Sequence, residues 1–189
     1  MAKNIQDSEP LRTKEQIELV RMLLNETREG LRNRIIFDLG INNGLRTGDI
    51  LKLKANAVYN ALQLQIREGK TGKIRTIMFN PEVRQEIIIY IDNRKQHSEW
   101  LFPNPADSAK HITTQAVYRL FKRVAKGHKD LKGLTAHSMR RTFGYWYYRE
   151  THDIATLMTI FNHSSQAITL RYIGVTDDNV NHALQSFKL

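Results

Sequence analysis

One stretch of the chain contains the residue types that could attack a phosphodiester without a metal ion. Residues 135–172 include His137 and Arg140, three positions apart, followed by His163 and, nine positions later, Tyr172. A guanidinium binds the anionic oxygens of a phosphate, an imidazole can move a proton, and a phenol can act as a nucleophile. This combination predicts metal-free phosphoryl transfer.

The spacing of the first pair indicates a shared direction. His137 and Arg140 are at positions i and i+3, which face the same way on a helix. Arg140 lies among Met139, Phe143 and Trp146, which we expect to be buried, and a buried guanidinium requires an anionic partner. A lone histidine is more often structural than catalytic, so Arg140 carries the stronger signal of the two.

The second pair requires a break in the helix. In one unbroken helix, His163 and Tyr172 would be roughly 2.5 turns apart and on opposite faces. Residues 162–165 read NHSS, and asparagine and serine commonly end or cap helices. A break there lets both side chains reach one site, although a tyrosine at this position also fits an amphipathic core. Gly144, which is unfavourable inside a helix, predicts a closely packed neighbour.

The elements that must position these residues are mostly helices. Thr13 and Gln16 form a capping-box pattern ahead of helical periodicity. Further helices are predicted over residues 31–41, from 81 to about 94, and from 113 or 114 to 125. The final third is also predicted to be helical.

Residues 57–79 change to a polar–apolar alternation around the segment GKTGK (69–73), which predicts a β-hairpin with a basic tip. A loop or short strand is expected over residues 100–105. The predicted fold is mainly α with a small antiparallel β-hairpin, an α+β class.

The sequence predicts one folded unit. Residues 1–12 lack periodicity and predict a flexible arm, so the domain is expected over residues 13–189. We find no internal repeat, linker or second domain. Past Thr176 a short helix is predicted, with Val180, Ala183, Leu184 and Phe187 on its apolar side; it could pack on its own domain or on a neighbouring subunit.

Composition limits the possible partners. The 29 Lys and Arg residues outnumber the 19 Asp and Glu residues, giving a formal net charge of +10. That surplus favours a polyanion, most often nucleic acid, although solubility alone is the simpler interpretation. The absence of cysteine excludes disulfides, cysteine metal sites and a cysteine nucleophile. No apolar run reaches the roughly 18 residues of a membrane span, and no signal peptide is visible, which predicts a cytoplasmic protein that meets DNA or RNA.

Four short blocks, in order, resemble the tyrosine recombinases, the phage-integrase family. Residues 137–143 (HSMRRTF) are similar to the family block H-x-[LM]-R-[RH]-[TS]-F. Residues 161–165 (FNHSS), followed by LRY at 170–172, resemble L-G-H-S-S and x-R-Y. Residues 44–49 (GLRTGD) are similar to G-L-R-x-[SG]-E, and residues 69–73 resemble the lysine-bearing hairpin. The resemblance covers the family's catalytic domain and implies that domain's fold.

The resemblance implies metal-free strand exchange in DNA. Tyr172 would attack the scissile phosphate, leaving a 3′-phosphotyrosyl link and a free 5′-hydroxyl. Arg46 and Arg140 would each bind non-bridging oxygens as planar forks. Lys70 would protonate the leaving 5′-oxygen, with Lys73 as the competing candidate. No cofactor is implied, because the covalent link conserves the energy of the broken bond.

The remaining roles also follow from the resemblance. His137 would accept or donate a proton near the phosphate, and His163 would donate a hydrogen bond to it. Asp49, which stands where the family has Glu, would orient a basic or imidazole partner. Asn162 replaces the family's Gly, and both residues accept a left-handed backbone.

Double-stranded DNA is the implied partner. The residues expected to contact it are Lys73, Arg75, Arg119, Lys122, Arg123 and Arg141. The implied assembly is a homotetramer on paired DNA sites and a monomer in solution, associated with the nucleoid and not with a membrane. A type IB topoisomerase would share the chemistry, and a catalytically inactive DNA-binding regulator would share the fold. A metal-dependent nuclease is disfavoured, because no carboxylates are clustered at ligand spacing.

Overall fold

A computed structural model describes residues 8–175. Its elements, in chain order, are α1 (Lys14–Asn25), α2 (Gly30–Asn43), α3 (Thr47–Leu51), α4 (Ala55–Val58), β1 (Gln63–Arg67), β2 (Ile74–Met78), α5 (Pro81–Asn93), β3 (Pro103–Asn104), β4 (Asp107–His111), α6 (Thr114–Val124), α7 (Ser138–Thr151), α8 (Ile154–Phe161) and α9 (Gln166–Ile173), with a 3-10 turn at Lys129–Leu131. The helix predicted beyond Thr176 lies outside the described residues. None of the described helices is both long and apolar enough to cross a membrane.

Helix α2 forms the centre of the core. It is buried along much of its length and packs against α1, α5 and α7. Gly40 allows the closest approach, because a Cβ there would lie 2.7 Å from the Cβ of Met139 on α7. The helix ends at Gly44, whose backbone is left-handed (φ 59°) and whose Cβ position is filled by the ring of Phe143. The chain can therefore turn directly into α3, which begins after Arg46.

Local signals set three of the predicted helix starts. The capping box of Thr13 and Gln16 is present at α1, and the Asn80 side chain caps α5. Thr113 caps α6 by accepting a hydrogen bond from the backbone N–H of Ala116. These ends depend on neighbouring residues alone, which is why the sequence predicts them.

The predicted break between α8 and α9 is confirmed. Asn162 ends α8 in the left-handed conformation (φ 56°), and the Ser165 side chain caps α9. Gly144 on α7 provides the expected space, since a Cβ there would lie 2.6 Å from Ile173 and 2.7 Å from Phe161. Helices α7, α8 and α9 therefore pack tightly around the break.

Residues 8–12 differ from the flexible arm expected over residues 1–12. Ser8 and Leu11 are buried, and the Ser8 hydroxyl is 3.2 Å from that of Ser138. The Leu11 N–H donates to the Thr142 hydroxyl at 2.9 Å, and the Trp146 indole N–H donates to the Leu11 carbonyl at 3.0 Å. These contacts fix the segment on α7, at more than 120 residues of sequence separation that local periodicity cannot reveal.

Two antiparallel hairpins complete the fold. Strands β1 and β2 form the predicted hairpin, in which Leu64 lies opposite Ile77 and Ile66 opposite Arg75. Strand β3 falls within the segment predicted as a loop or short strand, but its partner β4 was not predicted. The β4 sequence DSAKH lacks alternating apolar residues, so its strand conformation is recognised only from its hydrogen bonding to β3. The fold is mainly helical with small antiparallel sheets, as predicted.

Candidate active site

The residues singled out by the sequence come from five separate elements. Arg46 precedes α3, Lys70 lies in the β1–β2 turn, His137 and Arg140 begin α7, His163 follows α8, and Tyr172 is on α9. Arg46 and Arg140 lie 2.6 and 3.9 Å from the carboxylate of Glu68. The Arg140 guanidinium also stacks on Phe161, whose ring is 5.4 Å from that of His163 and 5.2 Å from that of Tyr172, centroid to centroid. The two arginines, His163 and Tyr172 therefore form one cluster.

Arg140 is the most enclosed member of this cluster, with 4% of its surface exposed. Its Nη1 donates to the carbonyl of Gly44, and its Nη2 donates to the carbonyl of Ile160 at 3.2 Å. The guanidinium carbon lies 4.5 Å from the ring centroid of Phe161. Burial lowers the pKa of Arg140 to about 10, so the side chain remains cationic at neutral pH. These contacts hold the guanidinium plane in one orientation.

The anion required by the buried guanidinium is Glu68, which our sequence reasoning missed. The Arg46 Nη1 donates to Glu68 Oε2 at 2.6 Å. The Nη1 atoms of Arg75 and Arg140 are each 3.9 Å from Glu68 Oε1. The available signal was an acidic residue directly before a basic turn, but nothing local indicated where it would point.

Asp49 fixes the backbone of the turn that carries Lys70. Its Oδ1 accepts a hydrogen bond from the Gly69 N–H at 2.9 Å. A Cβ at Gly69 would lie 3.3 Å from that oxygen, so a larger residue would crowd the contact. The carboxylate thus binds the turn itself, whereas the resemblance had implied that it orients a basic or imidazole side chain.

His163 is oriented by a buried threonine. Its Nδ1 is 3.1 Å from the Thr169 hydroxyl, which in turn donates to the carbonyl of Ser165 at 3.1 Å. Because the single hydroxyl proton is used on that carbonyl, the hydroxyl oxygen accepts from His163 Nδ1–H. Burial, followed by the charges of Arg140 and Arg46, lowers the pKa of His163, so the ring is neutral at pH 7. Thr169 was not predicted.

Tyr172 is half-buried between rings and cations. Its ring centroid lies 5.2 Å from that of Phe161 and 5.1 Å from that of His163. The Arg141 guanidinium is 5.1 Å from the Tyr172 ring centroid. Burial raises the pKa of Tyr172, and the opposing charges of Arg140, Arg141 and Arg46 do not cancel that effect. The phenol is therefore protonated at neutral pH in the DNA-free protein.

His137 and the two lysines line the solvent side. The His137 ring is exposed, yet its pKa is lowered by partial desolvation and then by the charges of Arg141, Arg140 and Lys70. Lys70 is exposed in the turn, while the Lys73 Nζ donates to Asn162 Oδ1 at the α8–α9 break. Both lysines thus border the cluster: Lys70 is near enough for its charge to act on His137, and Lys73 binds Asn162, the residue before His163.

The six residues expected to contact DNA separate into two groups. Lys73, Arg119, Lys122 and Arg123 are exposed, the last three on α6. Two others are half-buried and turned inward. Arg75 donates to the carbonyl of Asn43, and Arg141 donates to the carbonyl of Ser8. Within residues 8–175, no group of three or more His, Asp or Glu side chains could hold a metal ion.

A family model described as the phage integrase family matches residues 11–179. The probable integrase/recombinase YoeC of Bacillus subtilis (strain 168) is 38% identical over 180 residues, which cover 95% of this chain and 96% of that protein. The tyrosine recombinase XerA of Thermococcus kodakarensis is 28% identical over 179 residues, which cover 94% of this chain and 62% of that protein. The chain therefore spans less than two thirds of this second relative.

Solved structures share the fold. The crystal structure of XerA recombinase aligns with a TM-score of 0.71 at 22% identity, over 96% of this chain and 67% of that chain. The Tn1549 transposon integrase bound to circular intermediate DNA aligns with a TM-score of 0.69 at 21% identity, over 94% of this chain and 65% of that chain.

Proposed function

The chain belongs to the phage integrase family of tyrosine recombinases, and from that premise we propose that it cleaves and rejoins specific double-stranded DNA sites through a 3′-phosphotyrosyl intermediate. The observation that carries this proposal is the position of Tyr172. Its ring lies against His163 in a cluster that also contains Arg46 and Arg140. A phenol beside two guanidiniums and an imidazole is suited to attack one phosphate.

Cleavage forms one bond and breaks another at the same phosphorus atom. The Tyr172 oxygen attacks in line, and the bond from phosphorus to the 5′-oxygen breaks. Lys70 gives a proton to that leaving oxygen, which becomes a 5′-hydroxyl. The phenol loses its proton ahead of attack, and His137, which is neutral at pH 7 because its pKa is lowered, can carry that proton away to solvent.

Arg46 and Arg140 stabilise the charge that develops on the non-bridging oxygens. Arg140 is already held by two carbonyls and the Phe161 ring, so it needs little reorganisation when the phosphate arrives. His163 is the third candidate to bind the phosphate, by a hydrogen bond to one of its oxygens. With Nδ1–H directed at Thr169, its Nε2 donates to an oxygen only once that nitrogen is protonated.

Rejoining is the reverse reaction. A 5′-hydroxyl attacks the phosphotyrosyl link, and the phenol leaves with a returned proton. Because phosphorus exchanges one oxygen ester for another, no nucleotide hydrolysis is needed. Attack by a 5′-hydroxyl from a different strand gives recombination.

The proposed DNA contacts are the exposed cations around the cluster. Lys73 and the α6 residues Arg119, Lys122 and Arg123 are accessible for phosphates, whereas Arg75 and Arg141 act by supporting the cluster from within. Four copies on two paired sites are the proposed exchange complex. Light scattering should detect monomers alone and tetramers only with DNA that carries both sites.

The test of function is a nicked duplex that traps the covalent intermediate, incubated in the presence of EDTA. The site sequence can be taken from the DNA flanking the gene. We expect a covalent protein–DNA adduct that is lost in Tyr172→Phe. Tyr145→Phe, a half-buried tyrosine of α7 outside the cluster, should retain it. DNA binding without any adduct would instead identify a catalytically inactive DNA-binding regulator, and adduct or product formation only with magnesium would refute the mechanism.

A further inference from the structure

Glu68 is more deeply buried than Arg46, and it lies close to three guanidiniums, those of Arg46, Arg75 and Arg140. Only 3% of its surface is exposed, whereas 24% of the Arg46 side chain remains accessible. Glu68 Oε2 accepts from a single nitrogen of Arg46, so the carboxylate uses only part of the guanidinium's donor capacity. A phosphate that approaches from solvent therefore meets Arg46 without having to displace Glu68.

The charge of Glu68 is balanced where it lies. Burial alone would raise the pKa of Glu68, but the Thr71 hydroxyl, Arg46 and Arg140 outweigh burial and hold the pKa below its ordinary value. The carboxylate is therefore an anion at neutral pH. Three guanidiniums so close together repel one another, and an anion among them offsets that repulsion.

Glu68 also connects Arg46 to the turn that carries Lys70. Its Oε2 accepts a second hydrogen bond, from the Thr71 hydroxyl at 2.8 Å. The backbone of Glu68 closes the same turn. Its N–H donates to the Lys73 carbonyl at 2.9 Å, and its carbonyl accepts from the Gly72 N–H at 2.8 Å. Glu68 Oε2 thus connects Arg46, a candidate phosphate-binding residue, with the turn that carries Lys70, the candidate acid.

We propose that Glu68 is a positioning residue for strand cleavage, which holds Arg46 from behind and sets the distance between Arg46 and the Lys70 turn. The inference depends on the proposed function, because its readout is the rate of cleavage. The opposite role is an electrostatic brake, in which Glu68 competes with the phosphate for Arg46. The two roles predict opposite effects when the charge is removed.

The experiment compares Glu68→Gln and Glu68→Asp with wild type on the nicked duplex at saturating DNA. Single-turnover kinetics give both the rate constant of adduct formation and its amplitude, and fluorescence anisotropy gives the Kd for uncleaved DNA. For Glu68→Gln we expect a rate constant lower by about 10- to 100-fold, an unchanged amplitude, and a Kd equal to or tighter than that of wild type. Glu68→Asp should fall between them, since it keeps the charge but is one methylene shorter.

The matched control is Glu86→Gln on α5, which removes the charge from a half-buried glutamate that pairs with Arg34 of α2. It should leave the rate constant unchanged. A merely structural role of Glu68 would lower the amplitude, not the rate constant. Should the Gln variant fail to fold, Glu68→Asp still tests positioning, because it keeps the charge but shortens the reach: a lower rate constant at unchanged amplitude supports the inference, and a wild-type or faster rate constant overturns it.

A wild-type or faster rate constant in Glu68→Gln would overturn the inference and, if faster, indicate the brake. Wild-type adduct formation with an unaffected Glu68→Gln would overturn this inference alone. Absence of an adduct in the wild-type protein would overturn the proposed function, and this inference with it.

Discussion

The rings of His163 and Tyr172 meet edge-on, with centroids 5.1 Å apart and planes inclined by 78°. His163 lies in the α8–α9 break and Tyr172 on α9, so their contact depends on how those helices pack on α7. Phe161 completes the group, with its ring centroid 5.4 Å from that of His163 and 5.2 Å from that of Tyr172. The geometry of the nucleophile is therefore set by packing as well as by charge.

Gly144→Ala should disturb this geometry from behind. The added methyl would lie 2.6 Å from Ile173 and 2.7 Å from Phe161, closer than packed carbon atoms can approach. Overpacking of this kind costs about 1–3 kcal/mol, and α9 must move together with Tyr172. Chemical denaturation should detect the lost stability, and the nicked-duplex assay a slower cleavage step.

Gly48→Ala is the control for that substitution. A Cβ at Gly48 would have only the Thr114 methyl near it, at 3.9 Å, and Gly48 is helical. We expect stability to be unchanged or increased by up to about 1 kcal/mol, as helix propensity predicts. Equal destabilisation of both variants would contradict the packing argument.

Thr169→Val should misorient His163 without changing side-chain volume much. It removes the oxygen that lies 3.1 Å from His163 Nδ1. We expect cleavage to slow by roughly 10-fold, by analogy with hydrogen-bond partners that orient metal-bound imidazoles. Nitrogen NMR should find the proton of neutral His163 on Nδ1 in the wild type and a mixture of tautomers in the variant.

Thr159→Val tests whether loss of any helical threonine hydroxyl has the same effect. The Thr159 hydroxyl also donates to a carbonyl four residues earlier, but it is exposed on α8, and the hydrogen-bond partner of His163 Nδ1 is Thr169. This variant should cleave at the wild-type rate. A wild-type proton on Nε2 would refute the assigned tautomer.

Cleavage should accelerate with pH. Burial raises the pKa of Tyr172 above its ordinary value of 10.0, so the phenol carries its proton throughout the range from 7 to 9. In the DNA-free protein the lowered pKa values of His137 and His163 keep both rings neutral over that range, so the rise comes from the phenol. A His163 that must be protonated to donate to the phosphate would instead make the rate fall as the pH rises. If the proton is lost before attack, the rate rises by up to about 10-fold per pH unit.

Single-turnover rates from pH 6.5 to 9 measure this profile. Replacing Tyr172 with a fluorinated tyrosine, whose phenol is more acidic, should shift the rise to lower pH. A flat profile that does not respond to fluorination would show that phenol ionisation does not limit cleavage.

Arg140→Lys should be far from conservative. An ammonium cannot reach the carbonyls of Gly44 and Ile160 together while also presenting a planar fork to a phosphate. We expect cleavage to fall by about 10²-fold or more, and stability to fall by about 1–3 kcal/mol because a buried carbonyl loses its donor. Arg123→Lys, on the exposed side of α6, should change neither the cleavage rate at saturating DNA nor the stability.

The parts of the fold that sequence could predict are those decided by neighbouring residues. The cap at Thr13 and the break at Asn162 both follow from local chemistry. Strand β4 and the packing of residues 8–12 on α7 could not be predicted, because partners distant in sequence create them.

The site divides in the same way. The motif spacing identified Arg140 and His163 as candidates before their surroundings were known. It could not identify Glu68 or Thr169 as their supports, because a carboxylate or hydroxyl reveals its partner only after folding. Glu68 meets Arg46 across 22 positions of sequence, where no periodicity connects them.

The candidate acid can be assigned by changing the leaving group. Lys70 lies in a turn fixed by the Asp49–Gly69 and Glu68–Thr71 hydrogen bonds. A substrate with sulfur in place of the 5′-bridging oxygen has a leaving group that needs no proton. Lys70→Ala should slow cleavage of the oxygen substrate by about 10²- to 10⁴-fold. The same variant should cleave the sulfur substrate at nearly the wild-type rate.

Lys73→Ala provides the matched comparison from the same hairpin. The Lys73 ammonium already donates to Asn162 Oδ1, which ties it to the α8–α9 break and leaves it less free to follow a leaving oxygen. Loss of the Lys73 side chain should slow cleavage of both substrates by similar factors, smaller than that for Lys70→Ala on the oxygen substrate. The reason is that Lys73 supports the structure and does not act as the acid. Sulfur rescue of Lys73→Ala, without rescue of Lys70→Ala, would reverse the assignment and make the Asn162 contact the resting state of the acid.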